Sequence, residues 1–333
     1  MLVLGIESSA HTLGVGIVKD ETPHIVADVR FEYRPKVGGI HPKEAAQYFM
    51  DNAPRALSKA LSYAGVTIRD IDAVAVALGP GMGPCLRVGA TLARGIATYF
   101  NKPLIPVNHA LAHVEVGRML FQFRDPLVVY LSGGNTLIAS FTEGRYRIFG
   151  ETLDISLGNF LDTLARELGL APPYVVSGLH QIDRCASEGR EFVELPYVVK
   201  GQDVSFSGLL TATLRLAKAG GVVLNDLCYS AREIAYSAVI EVSERGVAHT
   251  GKKEVLVVGG VASSPILKEK FEVMSAIRKV KLGIVPPQYA VDNGVMIAWT
   301  GLLMFKHGVV VKPEEAHVRQ RWKLDQVDVL WHA

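Results

Sequence analysis

His109 and His113 stand four residues apart in the string NHALAHVEVG. On an α-helix, residues i and i+4 lie one above the other on the same face. Two neutral imidazoles held in that way can grip one metal ion through nitrogen. The spacing alone is a weak signal. Two ligands do not complete a dry, rigid site, so further ligands have to come from elsewhere in the chain. Without them the pair reads as two unrelated helix histidines, one solvated and one hydrogen-bonded in the core.

The chain that must position these groups has 333 residues, enough for a large core in two domains or in one body built from two lobes. Its 49% apolar content suits a globular enzyme and excludes a disordered chain. No apolar stretch reaches the roughly 18 residues needed to span a bilayer. The N-terminus reads as a strand, Leu2 to Ile6, with no basic segment leading into a secretory core. The three cysteines, Cys85, Cys185 and Cys228, form neither a disulfide framework nor a CxxC pair. A cytoplasmic protein is expected, its thiols reduced and each cysteine a small buried hydrophobe. A net charge of +2 neither demands nor excludes nucleic acid. Contact with a polyanion needs local patches, and Arg278-Lys279-Val280-Lys281 and Arg319-Gln320-Arg321-Trp322-Lys323 are the candidates.

One plan occurs twice. Leu2 to Val18 reads strand, small polar turn, strand, and Leu127 to Phe141 repeats it. A third strand follows each hairpin, at His24 to Phe31 and at Tyr146 to Glu151. Later, the buried strand Ala73 to Leu78 leads into the glycine-rich turn from Gly79 to Gly83, with Pro84 opening a helix. Val255 to Val258 leads in the same way into Gly259-Gly260 and on to Ser264, with Pro265 opening the next helix. Helices are expected at Pro42 to Ala64, Leu157 to Leu168, Asp226 to His249 and Ala290 to Phe305. The tail is expected to be irregular and then strand-like at Val327 to Trp331. Segments 34–41 and 171–180 read as Pro/Gly loops at cleft edges.

Continuous apolar strands alternating with helices argue an α/β fold with sheets covered on both faces. The doubling argues two lobes, residues 1–125 and 126–333, with central mixed sheets and a cleft between them; the C-terminal segment is expected to pack back on the first lobe. The glycine-rich turns aim backbone N–H groups and helix N-termini at the places where phosphates bind well. Neither a GxxxxGK[ST] nor a GxGxxG element follows a strand in the required way.

These strings resemble one family. GIESSAHTLGVGIV, GGIHPKEAAQ, GPGMGPCLRVGATLARG, PVNHALAHVEVG, YLSGGNT, YRIFGETLDISLGNFLD, KGQDVSFSGLLT, VVGGVAS and VDNGVMIAWTG appear in order over most of residues 3–304. They are similar to the tRNA N6-adenosine threonylcarbamoyltransferases, specifically the archaeal and eukaryotic branch that works as the catalytic subunit of the KEOPS complex. The resemblance implies the duplicated ASKHA fold shared by actin, hexokinase and heat-shock ATPases. It implies transfer of a threonylcarbamoyl group from threonylcarbamoyl-AMP to N6 of adenosine 37 in tRNAs that read ANN codons.

By the same resemblance His109, His113 and Asp292 are metal ligands, with Tyr130 an additional oxygen ligand or neighbour. The ion is iron or zinc, which ligand type does not separate. Tyr130, Leu131, Ser132, Gly133 and Gly134 look like the substrate-contacting strip, and Asp162 like the ribose contact. ATP or threonylcarbamoyl-AMP is the implied nucleotide ligand. KEOPS partners are implied as well: a separate small atypical kinase, a dimerising subunit and a further small subunit.

Two places depart from the family pattern. Where it has a Pro-Gly-Gly-Pro turn and then a nucleotide-contacting Glu, this chain has Pro172 to His180, with Gly178 and Asp183 in the corresponding places. Where the family has Asn after GGVA, this chain has Ser264. Both changes remove reach or a donor toward the nucleotide.

Three rival chemical readings stand beside this one, the first and third of them as alternatives. A phosphotransferase of the same fold gives no reason for two histidines and an aspartate to converge. A metallopeptidase of the HExxH type needs Glu after the first His, and Ala110 stands there. A non-catalytic nucleotide-binding scaffold rests only on the changes at Asp183 and Ser264. Backbone N–H groups of Ser132, Gly133 and Gly134 are candidate oxyanion donors. Glu7, in IESS, is a candidate facing a phosphate-bound cation or a water, and otherwise a solvated turn carboxylate.

Overall fold

The computed structural model describes residues 1–35, 39–170 and 179–332, and the chain divides into two compact units. Unit 1 comprises Met1–Met119, Glu143–Arg145 and Val291–Ala333; unit 2 comprises Leu120–Thr142 and Tyr146–Ala290. Parts of both loops expected at cleft edges, and with them Gly178, lie outside the described residues.

In unit 1, β1 (Leu2–Glu7), β2 (Thr12–Lys19) and β3 (Ile25–Glu32) form an antiparallel meander. After α1 (Pro42–Ala64), strand β4 (Ala73–Gly79) pairs parallel to β1. After α2 (Gly83–Phe100), strand β5 (Leu104–Asn108) pairs parallel to β4 and runs directly into α3 (His109–Phe121). The sheet order is β3-β2-β1-β4-β5. β4 is buried along its whole length, as a strand covered on both faces must be.

Unit 2 repeats the plan. β6 (Leu127–Leu131) pairs antiparallel with β7 (Thr136–Thr142), and β8 (Arg145–Glu151) follows at the edge. Then come α4 (Leu157–Glu167), α5 (Gln181–Ala186), the two-stranded ribbon β9 (Val199–Lys200) and β10 (Asp203–Val204), α6 (Ser207–Ala219) and α7 (Leu224–Thr250). β11 (Glu254–Val258) lies parallel to β6, and after α8 (Pro265–Arg278) β12 (Lys281–Ile284) lies parallel to β11. The order β12-β11-β6-β7-β8 is that of the first sheet strand for strand. The duplicated α/β architecture of the ASKHA class is therefore present.

One segment of unit 2 hangs on a single carboxylate. Asp154 accepts from Ile155 N, Phe206 N and Ser205 Oγ at 2.7, 2.9 and 2.6 Å, and from the N–H and hydroxyl of Ser207, where α6 begins. Burial disfavours its charge, but these donors prevail and hold the carboxyl well below its ordinary value. Its contribution is thus present at neutral pH and is lost as the pH falls below the ordinary Asp value of about 3.9. We expect Asp154→Ala to cost about 1 kcal/mol, as for loss of a helix cap, in a denaturant titration at neutral pH, with the deficit closing in acid. An equal deficit at all pH values would contradict this.

A disulfide joins Cys185 in α5 to Cys228 in α7, with Cα atoms 5.9 Å apart. This corrects the expectation of three free thiols. The two cysteines are 43 residues apart, so only the packing of α5 on α7 brings them together, and spacing carries no trace of it. Cys85 is free and buried, and burial pushes its thiol pKa up to about 11.

The chain returns to unit 1 after α9 (Pro287–Ala290), through α10 (Gly294–Lys306). One continuous helix over Ala290 to Phe305 was the expectation; two helices are observed, with Val291–Asn293 between them. Asn293 accepts from Met296 N at 2.8 Å and so caps a new helix start. α10 lies directly on β1 and β2. A Cβ on Gly5 would stand 2.2 Å from Ala298 N, and one on Gly294 would stand 2.1 Å from Gly16 N. Gly89 of α2 packs against Ile6, whose side chain leaves β1 on the side opposite Gly5, so α2 and α10 cover opposite faces. The tail forms no strand at Val327 to Trp331. Val327 and Val329 are buried in alternation, as the pattern suggested, but a 3₁₀ turn (Leu324–Gln326) precedes them and the backbone there joins no ladder.

Candidate metal centre

Three ends of secondary structure deliver the site, all within unit 1. β5 ends at Asn108, whose Oδ1 accepts from Leu111 N at 3.0 Å and starts α3. His109 is the first residue of that helix and His113 lies one turn on, with ring centroids 4.8 Å apart and the planes nearly perpendicular. Asp292 stands just before the cap of α10. Its Oδ1 lies 3.5 Å from His109 Nε2 and 3.3 Å from His113 Nε2. The ligand atoms of the three residues lie within 4.8 Å of one another. Donors about 2.1 Å from a tetrahedral ion stand roughly 3.4 Å apart, so the set fits a first-row cation held by two imidazoles and a carboxylate.

Glu7, at the end of β1, is wholly buried. It accepts from His109 Nδ1 at 2.8 Å and from Ser9 N at 2.5 Å. Ser9 Oγ stands 3.2 Å from the same imidazole nitrogen. Glu7 therefore does not face solvent, which corrects the reading of a solvated turn carboxylate. Its carboxylate fixes the His109 tautomer and turns Nε2 toward Asp292, the arrangement found behind metal-bound histidines.

The charges follow from these contacts. Burial disfavours a proton on His109, but the carboxylates of Glu7 and Asp292 outweigh it and raise the pKa to about 9. At His113 burial wins, helped by repulsion from His109, and the pKa falls below the ordinary imidazole value. Burial also opposes ionisation of Asp292, yet the charge of His109 and the hydrogen bond from His113 hold its carboxyl well below the usual range. His11, in the β1–β2 turn, adds to that field. The two carboxylates thus favour a proton on His109, which a cation bound there would displace. We expect Glu7→Gln to lower metal affinity about 10–100-fold in a chelator competition while Asp292 and both histidines remain. Unchanged affinity would remove Glu7 from this role.

Unit 2 holds the other residues singled out. Tyr130 and Leu131 end β6 and are buried. The turn after them folds on itself: Ser132 N donates to Asn135 O at 2.8 Å, and Gly134 N and Asn135 N donate to Ser132 Oγ at 3.3 and 3.0 Å. Two of the three N–H groups expected to hold an oxyanion are therefore engaged within the turn, those of Ser132 and Gly134. The turn seats on the start of α4, where Ser156 Oγ donates to Gly133 O at 2.5 Å. Asp162, on α4, pairs with His180 Nε2 at 3.1 Å, and His180 Nδ1 in turn accepts from Ile182 N and caps α5.

Asp183 is buried and accepts from Tyr236 Oη at 3.0 Å and Ser264 Oγ at 3.0 Å. Burial raises its pKa against those hydrogen bonds. The two positions that depart from the family pattern thus touch each other. A shorter acid and a hydroxyl at the head of α8 form one hydrogen-bonded unit with Tyr236. Sequence reasoning missed Ser9, His11, Asn108, His180 and Tyr236. Of these only Asn108 carried a local sign, as a cap residue ahead of a helix.

Comparison with known proteins shows the family. The family model described as tRNA N6-adenosine threonylcarbamoyltransferase matches residues 24–299. A protein of that name from Aeropyrum pernix is 57% identical over 333 residues, covering 100% of this chain and 95% of the relative. Another from Staphylothermus marinus is 56% identical, covering 98% and 99%. Among solved structures, T. kodakarensis HypF superposes with a TM-score of 0.64 at 15% identity, covering 95% of this chain and 49% of that one. The activator of 2-hydroxyisocaproyl-CoA dehydratase from Clostridium difficile, with bound ADPNP, gives 0.54 at 13% identity, covering 92% and 97%. These last likenesses show the fold alone. The extent of the sequence match shows more: this chain belongs to the tRNA N6-adenosine threonylcarbamoyltransferase family.

Proposed function

We propose that the chain transfers the threonylcarbamoyl group of threonylcarbamoyl-AMP to N6 of adenosine 37 in tRNAs reading ANN codons, as a KEOPS subunit. The observation that carries the reading is the convergence of His109, His113 and Asp292 on one point, backed by Glu7. In the reaction the N6–carbonyl bond forms, the bond between the carbonyl and the AMP oxygen breaks, AMP leaves, and N6 gives up a proton. An exocyclic aromatic amine is a poor nucleophile, so the carbonyl has to be made more electrophilic. His109, His113 and Asp292 would hold an iron or zinc ion, which would supply Lewis acidity toward that carbonyl. Tyr130 would be an additional oxygen ligand or a neighbour of that ion.

The remaining work falls to the protein's own groups. Glu7 keeps His109 in the tautomer that leaves Nε2 available. The strip Leu131-Ser132-Gly133-Gly134 contacts the acyl and phosphate groups, for which the Gly133 N–H is the donor in the turn not engaged by Ser132 or Asn135. A Cβ at Gly133 or Gly134 would meet nothing within 4 Å, so a ligand can approach the backbone there. Asp162 contacts the ribose, while the Asp183–Ser264 pair and Gly178 shape the adenosine end. The anticodon loop presents its base already unpaired, which keeps the cost of reaching N6 low. A kinase subunit, a dimerising subunit and a further small subunit are the partners in this reading.

The test is a transfer assay with partner subunits, threonylcarbamoyl-AMP and an ANN-reading tRNA. Mass analysis of the nucleosides should find threonylcarbamoyl-adenosine at position 37. Hydrolysis of ATP with phosphate passed to a small acceptor, and no modified tRNA, would favour the phosphotransferase reading instead.

A further inference from the structure

Both basic strings marked in the sequence reach the surface. Arg278 is spent on an ion pair with Glu244. The tail string is displayed: Arg319, Arg321 and Lys323 are exposed, while Trp322 between them is buried. A turn closed by Trp322 N donating to Arg319 O at 3.2 Å carries the string. The Arg319 guanidinium lies 5.0 Å over the Trp322 ring, an arrangement that orders the cation and leaves its edge to solvent. No acidic residue interrupts the chain from Ala316 to Leu324.

The string is anchored beside the metal centre by two separate routes within unit 1. Asn108, the residue before His109, donates through Nδ2 to Trp322 O at 2.9 Å. On the other side Gly81 N donates to Gln320 O at 3.2 Å, and the next residue, Met82, donates to the carbonyl of Ser9 at 2.7 Å. Ser9 is the residue whose hydroxyl meets His109. Arg319 N also donates to Leu78 O at 2.7 Å, in β4. A cationic turn therefore sits one residue from His109 by the first route, and is tied to it through Gly81, Met82 and Ser9 by the second.

We propose that Arg319 and Arg321 form a docking surface for RNA phosphates, which seats the backbone flanking the modified adenosine beside the metal centre. The proposal rests on the tRNA-modifying reading above and adds where the RNA backbone is held. Backbone phosphates position a nucleic acid without reading its sequence, and two guanidinium groups on one turn suit that task.

The test measures equilibrium binding of an ANN-reading tRNA against salt for the wild type and for the double variant Arg319→Glu with Arg321→Glu. We expect about tenfold weaker binding near physiological salt, and a salt slope shallower by about 1.4, from two lost single-strand contacts. In the transfer assay the loss should fall on KM for tRNA, and metal content should match wild type. Because Arg319 packs on Trp322, Arg321→Ala alone serves where the double variant fails to fold, and should lower the slope by about 0.7. Unchanged affinity and slope in a variant that still transfers the group would overturn the docking surface and leave the transferase reading standing. Wild type that neither binds nor modifies tRNA would overturn both.

Discussion

Replacing His109 and His113 together by Ala should leave the protein without its metal and lower threonylcarbamoyl transfer by at least about 1000-fold. Lewis-acid activation of a carbonyl supplies several kcal/mol of transition-state stabilisation, and each 1.36 kcal/mol is about tenfold in rate. The double variant also strands Glu7, which is wholly buried, and Asp292, so some loss of stability is expected. Asp292→Asn is the companion variant because it keeps the shape of the side chain. It should lose most of the bound metal and most of the rate while its melting temperature stays within a few degrees of wild type. Full transfer by either variant would take the metal out of the reaction.

Gly294→Val should prevent unit 1 from folding properly, with at least about 4 kcal/mol of stability lost and insoluble product as the practical readout. A Cβ at this position would stand 2.1 Å from Gly16 N and 2.4 Å from the Val15 carbonyl carbon, both backbone atoms that no rotamer change can move. The start of α10 would have to lift off β2, and Asp292 precedes that start by two residues. Gly133→Ala is the control, since an added Cβ there meets nothing within 4 Å. Its stability should be within about 0.5 kcal/mol of wild type. A soluble Gly294→Val protein with wild-type melting behaviour would mean that α10 does not seat as described.

The repeat of hairpin, third strand and helix was legible because buried strands and their glycine-rich exits leave a plain apolar signature. Strands β1, β2, β4, β6 and β11 and helix α1 fall where that signature puts them. The break between α9 and α10 was not legible. Ala290 to Phe305 is apolar enough to read as one helix, and only the Asn293 cap divides it. The tail misled in the other direction. Its burial alternates as in a strand, but alternation reports which side chains point inward and says nothing of a ladder partner.

At the site, the four-residue spacing of His109 and His113 is visible in the letters. The approach of Asp292 is not, since 179 positions separate it from His113. Glu7 was misjudged because a carboxylate at a strand end next to two serines looks solvated. Its partner lies 102 positions away and reaches it only because β5 runs straight into α3. The Ser132 turn shows a related limit. Gly-Asn marks a turn, but which N–H groups the Ser132 hydroxyl and the Asn135 carbonyl occupy is decided by its closed geometry.

The account stands on one cation held jointly by His109, His113 and Asp292. X-ray absorption at the iron and zinc edges of the natively purified protein, with elemental analysis of the same sample, addresses that directly. One iron or zinc per chain is expected, with scattering from two imidazoles in the first shell and a weakened shell in Asp292→Asn. A protein with no stoichiometric metal, or with a metal whose shell contains no imidazole, would contradict it.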